Sequence, residues 1–210
     1  IDKARFHITL GNAANLAFSG ANLPRFDVLF NAISDVDASP NALLGLEGFI
    51  ANHGVTRVIN EPAALRRSTR DNIAKLANAS PHLRSGRTHR YLGSALLDVA
   101  KLVKEIKSEL NFPLLVRSVG THTGSTLSKC DTDTALRESL EGLSSKRDLY
   151  VTEFINVANE QGVFHKIRGF YIDGDLYPVH LLRAEHWEVG RRGDRLKIMS
   201  EQTWMQEDEA

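Results

Sequence analysis

Apolar and polar positions along the chain predict strands and helices in turn. The apolar run from Phe26 to Ser34 is bounded by polar turn residues, the pattern of a buried parallel strand. Pro40 near a first turn and Gly54 at the far end predict a helix between them. A second short strand, TRVINEP, is closed by Pro62. A strand, a helix and a strand in this order form a βαβ unit, whose crossover is expected to be right-handed.

The rest of the chain is predicted to form helices and an antiparallel sheet. Helices are expected over residues 63–81, 95–110 and 132–143, where apolar residues recur at helical spacing. The segments FPLLVRSV and DLYVTEFI are predicted as strands, and Asp173-Gly174 is a strong hairpin signal between two further strands. The order predicts α/β units followed by an antiparallel sheet backed by helices.

Composition and charge narrow the classes of protein that fit. The 210 residues are 42% hydrophobic and 25% charged, an ordinary globular balance. Lys plus Arg and Asp plus Glu both total 26, whereas a nucleic-acid binder usually carries a basic excess. The single cysteine excludes an internal disulfide and a thiolate metal cluster, and no apolar run approaches the roughly 20 residues that span a bilayer. We therefore expect a cytoplasmic protein without nucleic-acid or membrane partners.

The segment FPLLVRSVGTHTGSTLSKC places a cation at the end of an apolar strand, directly before a loop of small and hydroxylated residues. Arg117 follows three apolar residues, so its stem leaves a buried strand while its head reaches toward a cleft. Gly120 and Gly124 free the backbone, and successive backbone N–H groups in such a loop form an anion-binding concavity. The loop lacks the glycine spacing and closing Lys-Ser/Thr of a Walker sequence. A strand-ending arginine in a surface salt bridge, followed by a polar turn, remains the alternative.

Two further segments carry candidate binding groups. In YVTEFI, a strand ending at Glu153 presents backbone N–H and C=O groups beside an apolar wall, which suits an adenine, and Glu160 is placed to accept from ribose hydroxyls. Taken alone, this segment favours a solvated Glu153 with Phe154 in the core. In the hairpin, Lys166 and Arg168 are two residues apart and share a face.

Like charges on one face of a sheet are costly unless an anion or neighbouring carboxylates neutralise them, and both interpretations of the hairpin stay open. Across the turn, His180 and Arg183 share a face only if a bulge or a strand end intervenes. The histidines do not have the spacing of a zinc-binding helix, so no metal site is predicted. No Gly-x-Ser-x-Gly sequence indicates a nucleophilic serine either.

In their order along the chain these segments resemble the ATP-grasp superfamily, from about Asp27 to Trp187, with VRSVGTHTG and YVTEFI as the most specific parts. The resemblance implies an α/β and α+β fold in which a βαβ domain that helps to bind the acceptor precedes an ATP-grasp domain of two α+β subdomains with ATP between them. Here the implied domains are residues 1–62, residues 63–145 with the phosphate flap, and an incomplete C-terminal subdomain at residues 146–210.

The resemblance also implies roles for individual residues. Arg117 stands where these enzymes commonly place a lysine on the nucleotide phosphates, and the flap lies around His122, Gly124 and Ser125. The segment that binds adenine in the superfamily is matched by Glu153, Phe154 and Ile155. The acidic residue that binds the ribose is matched by Glu160. The resemblance implies a further nucleotide contact at Lys75, and it implies that Lys166 and Arg168 reach toward the phosphates. The residues implied to act on the acceptor or on the transferred phosphoryl group are Arg168, His180 and Arg183.

The implied activity is that of an ATP-dependent ligase that joins a small-molecule carboxylate to an amine or thiol through an acylphosphate. The acidic metal-binding segment of the superfamily does not follow Trp187, so Mg²⁺ is expected only with a missing C-terminal segment. Because the chain begins at Ile1 without Met and ends on a polar run after Trp204, we expect a truncated, inactive piece of a longer protein. The alternatives are a non-catalytic nucleotide-sensing or interaction module and a small-molecule kinase on the same fold. The acceptor, further domains and a homodimer are left open.

Overall fold

The computed structural model describes residues 27–121, 124 and 126–190, apart from the side chain at position 180. The chain divides into two compact units after Phe154, and each is described by itself. The mixed α/β fold class predicted from the sequence is confirmed. The predicted boundary after residue 145 lies inside the first unit, just before a strand of its sheet, so the three-domain layout stays a prediction.

The described residues begin with the predicted βαβ unit. Strand β1 (Leu29–Phe30) pairs in parallel with β2 (Val58–Ile59), and helix α1 (Pro40–His53) connects them. Both strands are shorter than predicted. Asn31 and Asn60 follow them directly, and there side-chain hydrogen bonds replace the backbone pairing of the ladder. Each amide donates to the other residue's carbonyl, at 2.9 and 3.1 Å, which keeps the two chain segments together beyond the ladder.

The helix predicted over residues 63–81 is two helices, α2 (Pro62–Arg66) and α3 (Arg70–Ala79). Between them Ser68 donates its hydroxyl to the carbonyl of Leu65 at 2.6 Å, and Thr69 has extended backbone. Hydroxyl side chains offer the backbone alternatives to helical hydrogen bonds, so they favour helix ends over helix interiors. The N-cap of α3 is therefore Thr69 and not Ser68 or Asp71, as the sequence had suggested.

The central element of the first unit is a four-stranded antiparallel sheet in the order β3-β6-β4-β5. Its strands are β3 (Thr88–Tyr91), β4 (Leu114–Ser118), β5 (Ser128–Cys130) and β6 (Leu149–Glu153). Strands β4 and β6 were predicted from their apolar and β-branched residues. Strand β3, whose sequence is THRY, was not predicted, because its polar residues do not give a clear alternation.

Helices α4 (Val99–Glu109) and α5 (Asp133–Glu141) cover one face of this sheet. A 3₁₀ turn (Gly93–Asp98) leads into α4, and Thr132 caps α5 as predicted, accepting from the Ala135 N–H at 3.2 Å. In the part of the chain that the structure describes, no helix is long and apolar enough to cross a membrane. The core between helices and sheet consists of Tyr91, Leu102, Val103, Ile106, Leu110, Leu114, Val116, Cys130, Leu136, Leu140, Leu149 and Val151.

The described part of the second unit is dominated by the predicted hairpin. Strand β7 (Phe164–Ile172) pairs antiparallel with β8 (Asp175–Ala184). Asp173 and Gly174 have φ values of 53° and 95°, so both central residues of the turn are left-handed, as a type I′ turn requires. The register shifts once, between Arg168 and Gly169.

Candidate functional site

The face of the sheet that the helices leave open forms the floor of a cleft of about 550 Å³ in the first unit. Side chains alternate between the two faces of a strand. Because Leu114 and Val116 are buried in the core, Leu115 and Arg117 lie on the open face. The walls come from the segment after β1 and from α3. The cleft is lined by Ser34, Asp35, Val36, Asp37, Ser68, Arg70, Ile73, Ala74, Ser85, Thr88, Leu115, Arg117, Leu127 and Thr152.

Arg117 is half-buried in this cleft and is held by its own loop. Its guanidinium donates to the carbonyl of Thr121. The Thr121 hydroxyl donates to the carbonyl of Ser118 at 2.7 Å and lies 3.0 Å from the hydroxyl of Thr126. Burial lowers the pKa of Arg117, and the nearby cation Arg70 lowers it further, against smaller opposing effects of Asp35 and Asp37. The guanidinium charge of Arg117 is therefore less stable in this cleft than in water.

Arg70 lies in the first turn of α3 and lines the same cleft. Within the described ranges, neither Arg70 nor Arg117 forms an ion pair with a carboxylate. The sequence did not single out Arg70. Its proximity to Arg117 depends on how α3 packs over the sheet, and the sequence pattern does not specify that packing.

A polar network attaches the segment after β1 to the sheet. The carboxylate of Asp37, only 8% exposed, accepts from the Tyr150 hydroxyl at 3.0 Å on each oxygen and from Arg90 at 3.2 Å. Arg90 also pairs with Asp148 at 2.9 Å. Burial and then the Asp37 carboxylate raise the pKa of Tyr150 to about 12, so its hydroxyl stays a donor. Arg90 is thus paired with two carboxylates, whereas within the described ranges Arg70 and Arg117 pair with none.

The cleft has apolar and hydroxylated positions beside its cations. Leu115, Ile73, Ala74 and Leu127 supply apolar surface, and Ile73 is 49% exposed. The hydroxyl of Thr88 lies 3.0 Å from that of Thr152 and donates to the Gly86 carbonyl at 3.1 Å. A ligand that combines an apolar ring with an anionic group fits such a lining.

Glu153, predicted as part of an adenine hinge, has its carboxylate bound by Arg87 and by the backbone of Asn111. Its side chain is 19% exposed, so it is not the solvated edge charge of the alternative interpretation. Hydrogen bonds from Arg87, followed by those from Asn111, hold the pKa of Glu153 below its usual range. The backbone N–H groups of Glu153 and Phe154 are also occupied, by the carbonyls of Arg87 and Pro113 at 2.9 and 2.8 Å.

Lys75 does not line the cleft. Its side chain is 70% exposed and lies 3.9 Å from Asp71 one turn earlier on α3. In the second unit, Glu160 is exposed in the connection before β7, and Ile155 begins that connection. Their roles in binding the ribose and the base stay predictions.

The hairpin does not present its predicted catalytic residues on one face. Arg183 pairs with His165 in the register, and His165 is three residues from Arg168, so Arg183 and Arg168 lie on opposite faces. No register shift falls between positions 180 and 183. The side chain of His180 lies outside the described residues, so its role beside Arg183 stays a prediction. Lys166 lies 3.4 Å from the carbonyl of Val189.

Two predicted flap residues, His122 and Ser125, lie outside the described residues. Gly124 has a φ of 75°, the left-handed backbone that favours glycine. Among the residues that the structure describes, no group of three or more His, Cys, Asp or Glu side chains is placed to hold a metal ion. No step is assigned to Mg²⁺.

Comparisons with known proteins find similarity only among solved structures. No protein-family model matches the chain, and no curated protein matches it. A D-alanyl-alanine synthetase A from Vibrio cholerae matches with 12% identity and a TM-score of 0.45, over 75% of this chain and 44% of that one. A carboxyaminoimidazole ribonucleotide synthase from Aspergillus clavatus, complexed with ATP, matches with 16% identity and a TM-score of 0.47, over 77% and 38%.

A RimK domain protein ATP-grasp from Sphaerobacter thermophilus matches with 20% identity and a TM-score of 0.41, over 69% of this chain and 51% of that one. The name of that protein contains ATP-grasp, the superfamily that the sequence resembles. The chain spans about half or less of the length of these structures. At these TM-scores and identities the matches carry no argument about substrate or mechanism.

Proposed function

We propose that the chain binds ATP with the triphosphate between Arg70 and Arg117, as the ATP-binding part of an ATP-grasp-type ligase that activates a carboxylate as an acylphosphate. The observation that carries the proposal is the pair of cations, neither of them in an ion pair with a carboxylate among the described residues, that face one cleft. The cation Arg70 lowers the pKa of Arg117, and a bound polyanion would oppose that effect. A purely structural arginine at the end of β4 would instead be neutralised by a carboxylate, as Arg90 is.

The dimensions and lining of the cleft fit a nucleotide. Ligand pockets typically occupy roughly 300–1,000 Å³, and this cleft of about 550 Å³ falls within that range. Its apolar positions suit the face of a purine, and its guanidinium groups suit phosphate. A guanidinium is planar and binds phosphate oxygens in a fork, so arginine holds phosphate with more defined geometry than lysine.

The same residues have a role in phosphoryl transfer to a carboxylate. Negative charge spreads over the oxygens of the transferred group and collects on the departing diphosphate during such a transfer. Fixed cations in a partly buried site stabilise that charge without reorganising. Arg70 and Arg117 would hold these oxygens, and an amine or thiol would then displace phosphate from the activated carboxyl group.

Binding is tested first, by titrating the chain with ATP in a calorimeter at constant salt. We expect saturable binding of one ATP per chain, and a folded protein that shows no heat with millimolar ATP would overturn the proposal. Product analysis with carboxylate and amine or thiol mixtures then separates the activities. A ligase yields ADP, free phosphate and an amide or thioester, whereas a kinase yields ADP and a stable phosphorylated product. Binding without turnover is the result expected both of a non-catalytic module and of an incomplete piece of a ligase.

A further inference from the structure

We infer that Tyr150 and Arg90 are positioning residues of the proposed phosphate site, which hold the carboxylate of Asp37 on Arg90 and so leave the guanidinium of Arg117 for phosphate. The inference rests on the proposed function, because it concerns what keeps one of the two proposed phosphate ligands without a carboxylate partner. It gives Tyr150 and Arg90 a role in binding that no sequence pattern had indicated.

Arg117, Tyr150 and Arg90 form one row across the open face of the sheet. Tyr150 on β6 is the register partner of Arg117 on β4 and of Arg90 on β3. Directly opposite residues of an antiparallel pair have Cβ atoms about 4.5–5.5 Å apart on the same face. The guanidinium carbon of Arg90 lies 5.8 Å from the centre of the Tyr150 ring. Tyr150 therefore stands between two arginines, of which Arg90 is the one that pairs with carboxylates.

The carboxylate of Asp37 lies near both arginines of this row. Asp37 lines the cleft together with Arg117, and its charge opposes the lowering of the Arg117 pKa that burial and Arg70 cause. The backbones are close as well, because a Cβ atom on Gly120, three residues after Arg117, would lie 3.9 Å from the carbonyl oxygen of Asp37. Among the described residues, Asp37 nevertheless forms its ion pair with Arg90 and none with Arg117.

The hydroxyl of Tyr150 accounts for this choice of partner. It lies 3.0 Å from each oxygen of the Asp37 carboxylate, and Arg90 donates to one of these oxygens at 3.2 Å. The Asp37 side chain is only 8% exposed, so bulk water does not readily replace a lost donor. A buried carboxylate that loses a donor is costly, and pairing with a neighbouring cation reduces that cost. Without the Tyr150 hydroxyl that cation is Arg117, and an Asp37–Arg117 pair would compete with phosphate.

The test measures the affinities for ATP and for inorganic tripolyphosphate by calorimetric titration. For Tyr150→Phe we expect both affinities to fall roughly tenfold, about the effect of losing one charge-assisted contact to phosphate. Asp37→Asn removes the competing charge and should bind both ligands at least as tightly as the wild type. The double variant should regain the affinity of Asp37→Asn, because position 37 then carries no carboxylate to pair with Arg117. A purely structural role of Tyr150 predicts no such rescue.

Tyr91→Phe is the matched control. The Tyr91 hydroxyl also donates to a carboxylate, that of Glu109 at 2.9 Å, but Tyr91 belongs to the core on the opposite face of the sheet. This variant should lose stability and keep both affinities within about twofold of wild type. An equal loss of affinity in Tyr91→Phe and Tyr150→Phe would assign the effect to destabilisation alone and overturn the inference.

An unchanged tripolyphosphate affinity in Tyr150→Phe would also overturn the inference, as would a double variant that binds as weakly as Tyr150→Phe. If Tyr150→Phe does not fold, Arg90→Met, alone and combined with Asp37→Asn, gives the same comparison, because Arg90 is the other side-chain donor to Asp37. Wild-type protein that binds neither ligand contradicts the proposed function itself. Wild-type protein that binds both, with no effect of Tyr150→Phe, contradicts only the inference.

Discussion

Arg117 and Arg70 show what the structure adds at the scale of single residues. The sequence singled out Arg117 because a cation follows an apolar strand and precedes a loop with two glycines. It could not single out Arg70, which is one of several charged residues on a helix. Only the packing of α3 over the sheet brings the second cation into the cleft of the first.

Replacing either arginine should weaken nucleotide binding while leaving the fold intact. For Arg117→Ala and for Arg70→Ala we expect ATP affinity to fall by roughly tenfold or more, because each removes a charge-assisted contact to phosphate. The melting temperature should stay nearly constant, since neither residue forms an ion pair with a carboxylate in the described part of the chain. Calorimetric titration and thermal unfolding of the same samples measure both quantities.

Arg137→Ala is the control for this pair of variants, because Arg137 lies exposed on α5, which covers the opposite face of the sheet. It should bind ATP as the wild type does. An unchanged ATP affinity in Arg117→Ala would remove Arg117 from the site. A large fall in its melting temperature would instead support a structural role for the contact with Thr121.

At the scale of elements, the segment after β1 is attached to the sheet by a network that joins residues far apart in sequence. The carboxylate of Asp37 accepts hydrogen bonds from the hydroxyl of Tyr150 and from the guanidinium of Arg90. Because Asp35 and Asp37 line the cleft, this network also determines the shape of one cleft wall.

Tyr150→Phe should therefore destabilise the protein. The change leaves the buried carboxylate of Asp37 with one donor fewer, for which we expect a loss of about 1–3 kcal/mol in the free energy of unfolding. Urea denaturation of the variant and the wild type measures the difference. Tyr171→Phe is the matched control and should have almost no effect, since Tyr171 is 75% exposed on the hairpin. Equal stabilities of Tyr150→Phe and the wild type would show that the Asp37 contact contributes little.

The sequence predicted those elements whose local signals agree with their packing. Pro40 and Gly54 bound α1, Thr132 caps α5, and Asp173-Gly174 forms the hairpin turn. It did not predict the break between α2 and α3, where hydroxyl side chains end one helix before the next begins. Strand β3 is stabilised by pairing with β6, and four polar or aromatic residues carry no local signal of that partner.

At the scale of the whole molecule, the candidate cleft depends on topology. Asp37, Arg70, Arg117 and Thr152 come from four separate segments of the first unit. Arg117 and Thr152 lie on β4 and β6, which are neighbours in the sheet, whereas Asp37 and Arg70 are added from the segment after β1 and from α3. The sequence could indicate a phosphate-binding residue within one segment, but not which cations share a cleft. The resemblance implied a nucleotide contact for Lys75, whose side chain is 70% exposed and does not line the cleft, and that contact stays a prediction.

The most direct test of the central claim is a crystal structure of the chain with a non-hydrolysable ATP analogue. We expect phosphate oxygens within hydrogen-bonding distance of both Arg70 and Arg117, with the Arg117 guanidinium turned from the Thr121 carbonyl toward the ligand. An analogue bound elsewhere, with Arg117 still donating to Thr121 and no phosphate between the two arginines, would contradict the account.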